Sequence, residues 1–136
     1  MKQSGFQLVK QRIKETEFKL NKETDIKSGE CENYKISAGV QVGINEEIPN
    51  EALVTLTFQI GEMEEQQVKS DNNFYLKVVI DGIFNWTEEV TDEEQDRLLR
   101  QNAPAILLSY IRSYVALTTV SAGLESFIIP VFNFAK

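Results

Sequence analysis

The sequence contains no histidine. That single absence removes Ser-His-Asp and Cys-His nucleophilic catalysis, and most zinc sites with them. Cys31 is the one cysteine, so no intrachain disulfide can form and a reduced, cytosolic (cytoplasmic) setting is expected. The seven glycines make neither GxGxxG nor GxxxxGK[ST], which excludes the usual phosphate-cradling loops. No stretch reaches the roughly 20 consecutive apolar residues of a membrane span, so no membrane insertion is expected. Pro104 and Arg112 cut the longest candidate. Met1-Lys2-Gln3-Ser4 leads into polar sequence with no apolar signal core behind it. An enzyme would have to work with carboxylates, lysines or tyrosines alone. No such constellation can be assigned, so no enzymatic activity, cofactor or metal is expected.

What is present suits a single domain spanning residues 1–136. The chain is 42% hydrophobic, enough for a real core. Its net charge of −7 disfavours nucleic acid and anionic membrane surfaces as partners.

Strand signals dominate the first two thirds. Residues 6–20, "FQLVKQRIKETEFKL", alternate at Phe6 and Leu8 and again at Phe18 and Leu20. Parity fails around Val9 and Ile13, which points to a bulge or bend. Residues 21–32 are polar, contain Ser28-Gly29 and read as a loop. Residues 34–44 put Tyr34, Ile36, Ala38, Val40, Val42 and Ile44 on one face. Residues 52–60 repeat the pattern, and residues 74–84 repeat it again. Gly82 marks a bulge or a close contact. "GEMEEQQVKSDNN" is a charged connection. Four such strands with polar connections form most simply an antiparallel sheet.

After Trp86 the period changes. Thr91 with Glu94 three residues on makes a capping box for a short helix to about Arg100. Asn102 can cap a second, longer helix with Pro104 in its first turn, and Gly123 is its expected stop. The fold class is therefore α+β: a four-stranded antiparallel sheet followed by a short and a long helix. The long helix and "FIIPVFNF" carry more apolar surface than one sheet face needs. Either subunits pair through the helix, or a groove stays open for apolar partners.

The ordered set of motifs resembles the SecB-type protein-export chaperones. Pro104, Ile106, Leu107, Tyr110, Arg112, Gly123, Pro130, Asn133 and Phe134 follow the family's Pro-x-Ile-Leu, Tyr-x-Arg, Gly and Pro-then-Asn-Phe pattern. Gly82-Ile83-Phe84 resembles the end of its fourth strand, and "FQLVKQRIKETEF" its first. The resemblance implies an ATP-independent holdase that keeps unfolded preproteins export-competent for the SecA motor. It implies a homotetramer, a dimer of dimers with helices between subunits. Divergent relatives instead serve an antitoxin. The chain departs from the pattern in two respects. Only Ala135 and Lys136 follow the Asn-Phe motif, so a shorter groove is expected. Glu17 keeps one acidic residue where SecA docks, whereas Asn21 and Lys77 stand where acids are expected.

Client contact is expected at Phe74, Leu76, Ile83, Phe84, Trp86, Phe127, Ile129, Phe132 and Phe134. Subunit contact is expected at Ile106, Leu107, Tyr110, Ile111, Tyr114 and Leu117. Two other readings stay open: an oligomeric interaction module for one folded partner, and a carrier of a small apolar ligand.

Overall fold

The computed structural model describes residues 5–22, 34–87, 89–130 and 133–134. Four long strands form one antiparallel sheet: β1 (Phe6–Leu20), β2 (Ile36–Ile44), β3 (Glu51–Ile60) and, after a two-stranded hairpin of β4 (Met63–Glu64) and β5 (Gln67–Val68), β6 (Phe74–Trp86). The spatial order is β1-β6-β3-β2. Consecutive strands β2, β3 and β6 are neighbours, and β1 closes against the last of them, which is a Greek-key arrangement. β1 and β2 are therefore the two edges.

Strand patterning explains the layers. β3 buries Ala52, Val54, Leu56, Phe58 and Ile60. Across the ladder these meet Phe84, Gly82, Ile80, Val78 and Leu76 of β6. The alternate residues, such as Leu53, Thr55, Lys77 and Ile83, point to the outer face. The irregularity expected in β1 is present: register shifts fall between Leu8 and Lys10 and between Ile13 and Glu15. They let one strand of 15 residues keep Phe6, Leu8 and Phe18 against the core while bending round β6.

The helical region differs from the expected break. Thr91 caps α1 (Asp92–Arg97), accepting a hydrogen bond from the Glu94 amide at 3.1 Å. Asn102 does not cap α2 (Ala103–Ser121): its backbone is helical and its side chain makes no capping bond. The two helices run together through one π-helical turn, Leu98–Asn102. Pro104 accounts for this, because it has no N–H for the Arg100 carbonyl and its ring crowds that position. The ladder loosens there, and the Ala103 amide reaches back to the Leu98 carbonyl. The continuous helix, Asp92–Ser121, is long and apolar enough by length and composition to cross a membrane. Its hydropathy has a local explanation: Leu107, Ile111 and Val115 lie on one face against the sheet.

Gly82 is the close contact that packing requires. A Cβ there would lie 2.7 Å from Leu107 Cδ2 and 2.8 Å from Phe84 Cε2. Gly123 ends α2 in the left-handed region, at φ 86°. Its amide bonds the Val120 carbonyl, and the Leu124 amide bonds the Thr119 carbonyl, completing a Schellman stop.

A small charged clamp fixes the β3–hairpin junction. Glu62 pairs with Lys69 at 3.0 Å and with Lys35 at 3.7 Å. The hydrogen bond and charge of Lys69, then the charge of Lys35, hold the Glu62 carboxyl below its ordinary range. A carboxyl lowered on folding stabilises the fold above its unfolded pKa, and the gain is lost as pH falls through the lowered value. Urea midpoints of Glu62→Gln and the parent protein are thus expected to differ slightly near neutrality. They should converge only once pH has fallen below the lowered folded value, where the carboxyl is protonated in both states. A gap that persists in acid would mean the clamp is not ionic.

Candidate polypeptide-docking surface

Each strand edge carries backbone groups that need partners, and native proteins usually guard them with charge, proline or bulges. β1 carries such guards in its charges and two bulges. β2 carries none. Its nine residues, "ISAGVQVGI", contain no charged side chain and no proline, and the β2–β3 register is unbroken. Among the described residues, no strand pairs with its outer side.

The ladder fixes which groups face outward. The Gly61 amide bonds the Lys35 carbonyl, and the Asn45 amide bonds the Glu51 carbonyl, both at 2.9 Å. Antiparallel pairing alternates, so the odd-numbered residues between them bond to β3. Ile36, Ala38, Val40, Val42 and Ile44 therefore turn their N–H and C=O groups to the free edge. The same residues point their side chains to the helix side of the sheet. There they are half-buried, except Ile44, which is 49% exposed. One row thus offers hydrogen bonds and apolar contact together.

The two ends of this row differ. At the Ile36 end stands an aromatic cluster. Phe127 meets Tyr34 edge-on at 5.8 Å and Phe74 at 5.6 Å, and Tyr34 lies 5.0 Å from Phe74. At the Ile44 end is a cavity of about 200 Å³ between β2 and the helical region. Val42, Ile44 and Leu99 line it beside Asp92, Asp96 and Arg100, and Arg100 bonds Asp96 at 2.9 Å. Among the described residues, no group of three or more His, Cys, Asp or Glu could hold a metal ion.

The residues expected to contact clients do not all gather here. Phe74, Leu76, Phe84, Trp86, Phe127 and Ile129 are buried within the protomer. Phe84 and Trp86 lie two strands away on β6, level with the Ile44 end of β2, where Phe6 stacks on Phe84 at 5.2 Å and on Trp86 at 6.4 Å. Removing them would open the core rather than a groove. Ile83 is on the outer face, Phe134 is half-buried against the core, and Phe132 lies outside the described residues. Sequence alternation does not single out the row along β2, because it marks a buried face and says nothing of edge position. The usable signal was the lack of charge over Ile36–Ile44.

The helix residues divide in the same way. Leu107 and Ile111 are fully buried against the sheet, so they are core residues and offer a partner subunit nothing. Tyr110 and Leu117 are exposed, Leu117 by 68%. Ile106 and Tyr114 are half-buried, and the Tyr114 hydroxyl lies 2.7 Å from Thr16 Oγ1 on β1.

On the outer face, acids are matched by bases. Glu17 lies 3.9 Å from Lys19, Glu15 is 3.2 Å from Lys77, and the buried Asp81 is 3.5 Å from Arg12. Asn21 has a structural reason to be an amide. Its Nδ2 donates to the Asn72 carbonyl at 2.9 Å and the Lys69 carbonyl at 3.5 Å. A carboxylate has no proton to donate to either.

A Greek-key sheet backed by one long helix, with an apolar edge strand that is unpaired on its outer side among the described residues, defines an α+β protein. The sequence matches the family of the preprotein translocase subunit SecB over residues 1–136, and the chain belongs to that family. No curated protein matches it in sequence. Its fold is similar to that of a SecB-like chaperone from Mycobacterium tuberculosis, solved in complex with a ChAD peptide from an antitoxin. The TM-score is 0.69 at 14% identity, covering 96% of this chain and 93% of that one. A protein of unknown function from Streptococcus agalactiae is also similar, with a TM-score of 0.53 at 12% identity over 93% of this chain and 97% of that chain.

Proposed function

We propose that this protein is an ATP-independent cytoplasmic holdase that binds unfolded polypeptides along β2. The observation that carries the reading is the unguarded β2 edge, whose outward backbone groups and half-open apolar row belong to the same residues. An extended client adds as a fifth strand, drawing affinity from main-chain hydrogen bonds and tolerance of sequence from apolar contact. A folded protein has no free strand to offer. One secretory precursor held unfolded is expected to bind at least about a hundredfold more tightly than its folded form, roughly 2.7 kcal/mol. Equal affinities would overturn the holdase reading and favour a module for one folded partner.

A dedicated client, such as an antitoxin segment, suits the outer face better than delivery to SecA. Lys19, Lys77 and Arg12 stand beside the acids there, which weakens the attraction for a basic docking patch. Glu17 remains the single acidic candidate for that role.

Assembly, as a dimer or a tetramer, is assigned to the exposed flank of α2, with Tyr110 and Leu117 at its centre and Ile106 and Tyr114 beside them. Leu117→Glu is expected to lower the mass seen by light scattering while leaving the thermal midpoint of the protomer within a few degrees. An unchanged mass would move the interface elsewhere.

A further inference from the structure

The cavity of about 200 Å³ at the Ile44 end of β2 has no role in main-chain pairing itself. Val42, Ile44 and Leu99 form its apolar floor. Asp92, Gln95, Asp96 and Arg100 form its rim, and all but Gln95 are exposed, so the cavity is open to solvent. Leu99 and Arg100 come from the π-helical turn, which packs against β2. Sites for small molecules usually enclose about 300–1,000 Å³, so this space suits a single side chain. Val42 is also one of the residues that turn their N–H and C=O groups to the free edge. A client residue directly opposite Val42 in an added strand shares its face of the sheet. Its side chain therefore points to the helix side, where the cavity lies.

The rim decides which side chain fits. Arg100 bonds Asp96 at 2.9 Å, and the two charges offset each other. Among the described residues, Asp92 has no ion pair and Gln95 no side-chain hydrogen bond. The lining therefore carries one uncompensated negative charge. The positive end of the helix opposes a cation here, but it amounts to only about half a charge. Asp92, Glu93 and Glu94 in the same turn outweigh it. An apolar floor beneath a free carboxylate and an amide oxygen matches a long aliphatic stem with a cationic head. We propose that this cavity is a side-chain pocket that takes a lysine of the bound client, its stem on Val42, Ile44 and Leu99 and its ammonium on Asp92 and Gln95. This rests on the holdase reading and deepens it. Main-chain pairing along β2 is indifferent to sequence, whereas one lysine in the pocket fixes the register of the client. Client segments are then extended and apolar, with a lysine at the end that lies beside Ile44.

The test is a double-mutant cycle on the full chain. The probe is a labelled, carboxymethylated polypeptide that stays unfolded, with its lysines intact or acetylated. Acetylation removes the charge and keeps the stem. Fluorescence anisotropy reads both affinities. Asp92→Asn, at an exposed position, is expected to bind the intact probe about fivefold more weakly and the acetylated probe unchanged. The loss on acetylation should therefore be about fivefold smaller in Asp92→Asn than in the parent. Glu47→Gln removes an equal charge from the β2–β3 turn, outside the cavity, and is expected to move neither affinity by more than about twofold. An acetylation loss of the same size in Asp92→Asn and the parent overturns the lysine pocket and leaves the holdase reading standing. So does a Glu47→Gln protein that matches Asp92→Asn, because the attraction would then belong to the field of the whole surface. A parent protein that binds neither probe overturns both.

Discussion

Replacing Ile111 by glutamate is expected to unfold the protomer, not to separate subunits. Ile111 is fully buried between Leu107 and Val115 on the face of α2 that covers β3 and β6. A carboxylate there would have no partner, since the surrounding core cluster is apolar. Losing the isoleucine and burying an unpaired charge together cost about 4 kcal/mol or more. That is a large share of the roughly 5–15 kcal/mol by which domains are stable. Urea denaturation at neutral pH reads the loss directly. A parental urea midpoint combined with a halved mass would return Ile111 to the subunit interface. The contrast with Leu117→Glu on the exposed flank separates the two faces of one helix by experiment.

Val40→Pro is expected to weaken binding of unfolded polypeptide tenfold or more, about 1.4 kcal/mol. Val40 turns its amide to the free edge, so proline deletes one hydrogen bond to the client without removing a rung of the β2–β3 ladder. Its ring also holds an incoming strand away. Gly39→Pro is the internal control, because the Gly39 amide belongs to the ladder with Thr57. That change should lower stability first. Fluorescence anisotropy with an unfolded probe, beside a thermal melt of each variant, distinguishes them. Undiminished affinity in a folded Val40→Pro protein would exclude strand addition at β2.

Much of the architecture could be read in the sequence because it depends on local rules. Alternation in β2, β3 and β6, lost parity in β1, Thr91 as a cap and Gly123 as a stop each follow from steric and hydrogen-bonding demands within a few residues. Partner choice across the sheet does not. Nothing near Phe6 says that it meets Trp86, or that β2 and not β3 forms the edge. The fused helix depended on how the chain meets Pro104, where a loosened turn replaced a break. The site was harder still. Phe84 and Val40 are both apolar strand residues facing the helix side, and only their lateral position decides which is sealed and which stays open. Leu107 and Leu117 likewise differ only in the direction of the helix surface they occupy.

The pairing of the first strand with the last also governs how the protein is made. β1 leaves the ribosome before its partner β6, which begins only at Phe74, with 53 residues (positions 21 to 73) between it and Leu20. At about 5–20 residues per second, β1 waits roughly 3–10 s before any of β6 has been synthesised. The β2–β3 hairpin can close from short-range contacts in the meantime, whereas β1 depends on long-range closure. Phe6, Leu8, Ile13 and Phe18 remain uncovered throughout that interval. During its own synthesis the nascent chain therefore carries an unpaired strand whose charged side chains alone keep its uncovered apolar face from premature pairing.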